Sequence, residues 1–330
     1  MTHSLSPKRI ESPGFIDLQV NGFAGVDFND PQLDAEAIDR ALDAMRRSGV
    51  TRCLPTLITS SFESFAACAK RIAGHPHPAI AGIHMEGPYI SREPGPRGAH
   101  SSAHVIAASV EDFDRRQDAA DGRIRLLTLA PESAGALVLI EHAVNRGVRV
   151  AIGHTMASSA EIRDAVSAGA TLSTHLGNGC APVMARHPNV LWDQLAADAL
   201  LASFIVDGHH LPPATVKSMI RAKTPERAIL VTDAVAPAGC PPGRYRIGEI
   251  DVELSTDGRV SRPGDPLLAG AALTMPQAIA NTAKFTGLPI ERILPMATTI
   301  PAAYLGLEVA GRVLLEWNAE RMTYEVRSSS

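Results

Sequence analysis

Val-Arg-Val-Ala-Ile-Gly-His-Thr (148–155), Ser-Ser-Ala-Glu-Ile-Arg-Asp-Ala-Val-Ser-Ala (158–168) and Thr-Leu-Ser-Thr-His-Leu (171–176) follow one another with almost nothing between them. Val148–Ile152 is a short β-branched apolar run, and Thr171–Thr174 is another. Between them Ser158 precedes Glu161 by three residues at the head of a helical pattern, the spacing of a helix cap. Strand, helix, strand in so short a compass predicts a βαβ unit and a parallel sheet. Outward from this unit the alternation continues. Further strands are expected at Phe15–Val20, Thr51–Leu57, Ile80–Met85, Ile124–Leu129, Ala202–Val206 and Ala228–Val231. Helices are expected at Ala35–Arg47, with Ile38, Leu42 and Met45 on one face, and at Ala134–Asn145, with Leu137, Ile140 and Val144 likewise. About eight such strands suit an α/β fold of the (β/α)8 TIM barrel type better than an open doubly wound sheet. No Gly-x-Gly-x-x-Gly follows the first strand, which argues against dinucleotide binding.

After Asp233 the texture changes. Pro237–Pro242 is a turn-rich link, Tyr245–Val260 alternates like an antiparallel hairpin turning at Thr256-Asp257-Gly258, and Thr274–Phe285 is helical. Arg312–Val326 alternates again, so both β pieces are expected in one small sheet beside the barrel. The expected division is a barrel of residues 13–236 and 266–306 and a small β domain of 1–12, 237–265 and 307–330.

The 330 residues carry 31 basic and 35 acidic side chains, a net charge of -4, and 45% apolar residues. That balance, without a basic block, offers no electrostatic footprint for nucleic acid. There is no apolar run long enough for a membrane helix, and the first residues lack the apolar stretch of a signal peptide, so a cytoplasmic protein is expected. Cys53, Cys68, Cys180 and Cys240 are scattered without a Cys-x-x-Cys pair, which indicates neither a disulfide scaffold nor a structural zinc knuckle.

The chemistry-bearing residues collect at one set of strand ends. Gln19 and Asn21 close the first strand, Glu86 the third, His154 the fifth, His175 the sixth, Asp207 the seventh and Asp233 the eighth, while Glu132 follows the fourth. In a parallel barrel those ends share one face, the face that holds the active site. A single histidine there is as readily a hydrogen-bonded structural residue. Glu86, His154 and His175 together, however, make a metal triad of two imidazoles and a carboxylate. Lys8, Lys70, Lys217, Lys223 and Lys284 all lie away from strand ends, so a two-metal site bridged by a carboxylated lysine is not expected.

At this point the sequence resembles the N-acetylglucosamine-6-phosphate deacetylases of the amidohydrolase superfamily. The resemblance is carried by Pro-Gly-Phe-Ile-Asp-Leu-Gln-Val-Asn-Gly (13–22), His-Met-Glu-Gly-Pro-Tyr-Ile (84–90), Arg-Gly-Ala-His (97–100) and Thr-Leu-Ala-Pro-Glu (128–132). It continues through Gly-His-Thr (153–155), Thr-His-Leu-Gly-Asn (174–178), Asp-Gly-His-His (207–210), Val-Thr-Asp-Ala-Val-Ala-Pro-Ala-Gly (231–239) and Leu-Ala-Gly-Ala-Ala-Leu-Thr-Met (268–275). Singly these motifs say little; in this order over residues 13–306 they are specific.

The resemblance implies one divalent metal on Glu86, His154 and His175. Zinc is the first choice, with iron, manganese or cobalt also acceptable to such a site. Where two-metal relatives have His-x-His, this chain has Gln19 and Asn21, whose neutral amides are poor ligands and are expected to shape or hydrogen-bond a mononuclear site. Asp233 matches the general base and His100 the histidine that engages the acetyl carbonyl. His210, Asn178, Gly179 and Arg186 match substrate-binding positions, with Arg186 reaching the phosphate across a homodimer; His209 is expected to be structural. The implied reaction removes the acetyl group from an N-acetylhexosamine 6-phosphate, a small-molecule amino sugar phosphate. Leu-Gly-Asn-Gly-Cys (176–180) and Ala271 depart from the family pattern. Only twelve residues precede Pro13, so the family's β-sandwich domain is expected in reduced form. The alternatives are an amidohydrolase acting on an unphosphorylated or differently decorated N-acetyl sugar, and a non-catalytic barrel that binds sugar or metal.

Overall fold

Strands buried on both faces belong in a parallel sheet wrapped by helices, because neither face then meets water. In the computed structural model eight strands meet that description: β1 (Phe15–Val20), β2 (Val50–Ile58), β3 (Ile83–Glu86), β4 (Ile124–Leu129), β5 (Arg149–Ile152), β6 (Leu172–Ser173), β7 (Leu201–Ile205) and β8 (Ala228–Val231). They pair in sequence order and all in parallel. The ring closes where the first and last strands meet. A parallel bridge joins Val20 to Ala234, and the Asp233 N–H donates to Gln19 O at 2.9 Å. The fold is therefore the expected (β/α)8 barrel. The structure describes residues 8–247, 250–264, 268–318 and 322–329. Parts of the expected domains at 1–7, 265–267, 319–321 and 330, and the 248–249 step of the expected hairpin, lie outside the described residues.

The helices follow from capping and amphipathicity. α1 (Ala35–Arg47) begins where the Asp34 side chain accepts the Ala37 N–H and buries Ile38, Ala41, Leu42 and Met45. α2 (Phe62–Ala73) and α3 (Val110–Ala119) start on Ser61 and Ser109 in the same manner. α5 (Ser159–Ala168) carries the expected capping box between Ser158 and Glu161. α4 (Ala136–Asn145) departs from its expected face. It buries Ala136, Leu139, Ile140 and Ala143, an i, i+3, i+4, i+7 face, and leaves Leu137 and Val144 exposed. α6 (Val190–Ala196), α7 (Pro213–Lys223) and α8 (Met275–Thr286) complete the ring. Two strand expectations were too long. Ile80 makes only an isolated bridge to Cys53, and β6 stops at Ser173 because His175 turns into a left-handed conformation at φ 30°.

The two β pieces expected in one small sheet fall in two separate sheets. Lys8–Pro13 pairs antiparallel with Arg312–Asn318, which pairs with Thr323–Ser329. Separately, Gly243–Ile247, Ile250–Leu254 and Val260–Ser261 make a second three-stranded sheet. The Thr256-Asp257-Gly258 turn links the last two of these strands, while the main pairing lies between the first two. Val252, Leu254 and Val260 pack with Val235 into a small apolar core of their own, which ties this sheet to the segment following β8.

Candidate active site

Glu86, the last residue of β3, is buried at the mouth of the barrel. Its Oε1 lies 3.1 Å from His154 Nε2 and 3.0 Å from His175 Nε2, and the two imidazole nitrogens are 3.1 Å apart. Among the described residues this is the group of three metal-capable side chains whose donor atoms all fall within 4.8 Å of one another. The donor set fits a divalent cation. His154 directs Nδ1 at Pro96 O, 2.8 Å away, so Nδ1 carries the hydrogen and Nε2 offers its lone pair. A lone pair facing a second imidazole nitrogen and a carboxylate oxygen at such distances calls for positive charge among them. Burial opposes ionisation of Glu86, yet the two imidazoles hold its carboxyl well below the usual carboxylate range. Burial likewise works against a charged His175, and Glu86 outweighs it and raises the ring above its ordinary value.

The other residues singled out in the sequence surround this cluster to different extents. Gln19 Nε2 donates to Glu86 Oε1 at 2.8 Å, and Asn21 Nδ2 donates to Asp233 Oδ1 at 2.7 Å. Asp233 is pushed up to about 6 by burial and then by the Glu86 carboxylate. The buried ring of His100 lies 4.3 Å, centroid to centroid, from that of His154, with Nε2 3.9 Å from Glu86 Oε2. Asn178 donates its side-chain N–H to His175 O at 3.1 Å. Gly179, at φ 55°, lies flat on His154: a Cβ there would stand 2.9 Å from Nδ1. His210 is hydrogen-bonded to Asp207, and His209 reaches the Asp257 carbonyl at 3.1 Å. Arg186 is not gathered into the cluster. It sits in an exposed stretch between β6 and α6, with no side-chain hydrogen bond among the described residues.

His154, His175 and Asp233 all have positive φ, at 52°, 30° and 48°. Non-glycine residues in such regions cost about 1–3 kcal/mol each and persist only where neighbours hold them. Each has a holder. Glu132 accepts from Thr155 Oγ1 at 2.5 Å and from Met156 N at 2.7 Å, clamping the two residues after His154. Ser203 Oγ accepts the His175 N–H at 2.8 Å. Asp17, fully buried in β1, accepts from Thr232 Oγ1 at 2.5 Å and Thr232 N at 3.2 Å, immediately before Asp233. Below the cluster His84 bridges Thr56 and Thr128, and burial pushes its pKa down to about 4. Sequence reasoning noticed Glu132 without giving it a task, and missed Asp17, Ser203 and Thr59, whose Oγ1 lies 2.7 Å from His100 Nδ1. Thr59 was discoverable: the second strand was the one whose end had been given no polar residue, and Thr-Leu-Ile-Thr (56–59) supplies it.

Comparison with known proteins follows the same lines. The amidohydrolase family pattern matches residues 10–316. The chain belongs to the amidohydrolase family. This amidohydrolase is 38% identical over 317 residues to the human N-acetylglucosamine-6-phosphate deacetylase, covering 91% of this chain and 75% of the relative. It is 34% identical over 302 residues to the N-acetylgalactosamine-6-phosphate deacetylase of Escherichia coli O157:H7, covering 90% of this chain and 78% of that protein. Among solved structures, N-acetyl-D-glucosamine-6-phosphate deacetylase from Mycobacterium smegmatis aligns with a TM-score of 0.88 at 31% identity, over 98% of this chain and 86% of that one. A mutant of the M. smegmatis enzyme in complex with N-acetyl-D-glucosamine-6-phosphate aligns at 0.87 and 31% identity, over 98% and 85%. No helix among the described residues is long and apolar enough to cross a membrane.

Proposed function

We propose that this amidohydrolase hydrolyses the acetamide of N-acetylglucosamine 6-phosphate to acetate and glucosamine 6-phosphate. The observation that carries the reading is the convergence of Glu86, His154 and His175 on one point, with the Asp233 carboxyl oriented beside it by Asn21. The metal is proposed to be a single divalent ion held by Glu86, His154 and His175, zinc first among iron, manganese and cobalt. When bound, such an ion supplies charge that polarises an acyl carbonyl and makes water easier to deprotonate at neutral pH.

The chain's own residues do the rest. Asp233 takes a proton from the attacking water and returns it to the nitrogen as the carbon–nitrogen bond breaks, so that acetate and an amine leave. His100 faces the acetyl group and offers a hydrogen bond to its carbonyl oxygen as charge develops there. Gln19 and Asn21 occupy the side of the cluster nearest β1, each with an amide N–H already committed to a carboxylate, which leaves the three-residue cluster as the metal site. His210, Asn178 and Gly179 are proposed to line the sugar site, and Arg186 to meet the phosphate with its bidentate guanidinium. Because Arg186 stands away from the cluster, it acts across a homodimer in this reading. Val183 in the same stretch and Trp192 in α6 are exposed apolar side chains that a subunit contact would cover. The proposal keeps a cytoplasmic location and the division into a barrel of 13–236 with 266–306 and a small β domain of 1–12, 237–265 and 307–330. Pairing of Lys8–Pro13 with Arg312–Asn318 supports grouping the two ends.

Acetate release from N-acetylglucosamine 6-phosphate, its galactosamine epimer and the unphosphorylated sugar tests the reading directly. Turnover of the first substrate that disappears in Asp233→Asn while metal content persists is the expected result. Full activity of that variant overturns the mechanism. Equal turnover of the unphosphorylated sugar, with no loss in Arg186→Ala, moves the substrate to the plain N-acetyl sugars.

A further inference from the structure

Two residues beyond β7 the chain Asp207-Gly208-His209-His210 folds back on its own carboxylate. Asp207 Oδ1 accepts the backbone N–H groups of His209 and His210, both at 2.8 Å, and Oδ2 lies 2.6 Å from His210 Nδ1. Gly208 makes the turn possible at φ 85°, with the edge of Phe285 only 3.3 Å from where a Cβ would stand. Burial disfavours ionisation of Asp207, but the hydrogen bonds from His210 and the two backbone groups outweigh it and hold the carboxyl below its ordinary value. An ionised carboxylate only accepts hydrogen bonds, so the hydrogen between the two side chains belongs to Nδ1. His210 Nε2 has no hydrogen-bond partner among the described residues and is not among the atoms sealed from solvent without one.

We infer that Asp207 is a positioning residue for substrate recognition, holding His210 in the tautomer with hydrogen on Nδ1 and leaving Nε2 as a free acceptor for a sugar hydroxyl. The inference rests on His210 being a substrate contact, as proposed above. The chemistry of the turn makes it sharp. In Asp207→Asn the amide oxygen must stay on the two backbone N–H groups, because an NH2 there would face two donors. The NH2 is then left facing Nδ1, the ring hydrogen moves to Nε2, and the group offered to the sugar changes from acceptor to donor.

The test uses the full-length protein. Nitrogen-15 spectra of the histidine rings, with His210 assigned by its loss in His210→Gln, should show hydrogen on Nδ1 in the wild type and on Nε2 in Asp207→Asn. An unprotonated Nδ1 in the wild type overturns the inference, and that measurement needs no variant at position 207 to fold. Steady-state kinetics with N-acetylglucosamine 6-phosphate should show kcat/KM falling about 10–100-fold in Asp207→Asn, mostly through KM, as expected for one mismatched polar contact. In a His210→Gln background the same change should cost less than about twofold, because Asp207 acts through the ring. An equal loss in both backgrounds, together with a lowered Tm, marks Asp207 as merely structural and refutes the claim. Failure of the wild type to turn over the substrate would sink the functional reading alone, since the ring spectra decide the tautomer independently.

Discussion

Replacing Asp17 by Asn should flatten a large pH dependence of stability. Asp17 is completely buried in β1, and burial pushes its pKa up to about 7 against the hydrogen bonds from Thr232 and Gln19. A carboxyl whose folded pKa lies above its unfolded value near 3.8 binds its proton more tightly in the folded chain. That stabilisation is complete below about pH 4 and is lost as pH rises through about 7, where the native state must bury a charge. Between pH 5 and 7 the loss is about 1.4 kcal/mol per pH unit, or roughly 3 kcal/mol, and little more is lost by pH 8. At roughly 2 cal/mol/K per residue this is about 4 °C in Tm for a chain of this size. Asn fits the site without a proton to lose. Its oxygen can stay on the Gln19 and Thr232 N–H groups, at 3.3 and 3.2 Å, while its NH2 faces Thr232 Oγ1. Scanning calorimetry of wild type and Asp17→Asn at pH 5 and pH 8, with chelator present in every sample, isolates the effect. The variant should gain about 4 °C on the wild type between the two pH values. A Tm difference between the two proteins that stays constant within about 1 °C over that range refutes a protonated Asp17 and the linkage built on it.

Further predictions follow from the supports of the cluster. Glu132→Ala removes both clamps on the segment after His154 and should weaken zinc affinity about 10–100-fold in a chelator-competition titration, with a smaller effect on the apoprotein Tm. Gly179→Ala combines a strained φ with a Cβ placed 2.9 Å from His154 Nδ1, and should cost about 1–3 kcal/mol in urea unfolding. An unchanged midpoint would show that the 176–180 turn yields freely. Gln19→His with Asn21→His should raise metal content by elemental analysis from the proposed one equivalent to two, since the resemblance puts His-x-His of two-metal relatives at these positions. Retention of one equivalent would show that β1 holds those positions out of reach.

The sheet was legible from the chain because its signal is local. An apolar run buried on both faces followed by a capped helix, as at Ser158 with Glu161, needs no knowledge of distant residues. The Glu86, His154 and His175 cluster was legible for a topological reason: equal position at successive strand ends becomes proximity once a parallel barrel closes. What stayed hidden depends on rotation and on long-range pairing. The choice of Leu139 over Leu137 as the buried residue of α4 is a matter of rotation, which an almost continuously apolar Ala-Leu-Val-Leu-Ile run (136–140) leaves open. The separation of the outer strands into two sheets is a matter of partner choice, for which alternation in Tyr245–Val260 and Arg312–Val326 carries no information.

The hidden supports share one physical origin. A side chain that ends a barrel strand points along the sheet's own alternation unless the backbone turns, and His154, His175 and Asp233 all turn into left-handed conformations that glycine alone adopts cheaply. No glycine can serve at those positions if, as proposed, the imidazoles and the carboxylate are the reagents. The cost must then be met by an acceptor on a neighbouring strand or loop, and three unlike residues do it: Glu132 for His154, Ser203 for His175 and Asp17, through Thr232, for Asp233. Two of these acceptors are carboxyl groups that touch no substrate in the proposed mechanism, yet they set where the groups of that mechanism stand. Asp207 repeats the device one strand further on, with the difference that Gly208 relieves the turn and the carboxylate is free to act on the His210 ring itself. The arrangement separates chemistry from geometry around the barrel mouth. Each reagent is presented by one strand and aimed by its neighbour, so a substitution at an aiming residue should alter metal affinity, tautomer or pH response before it alters the fold.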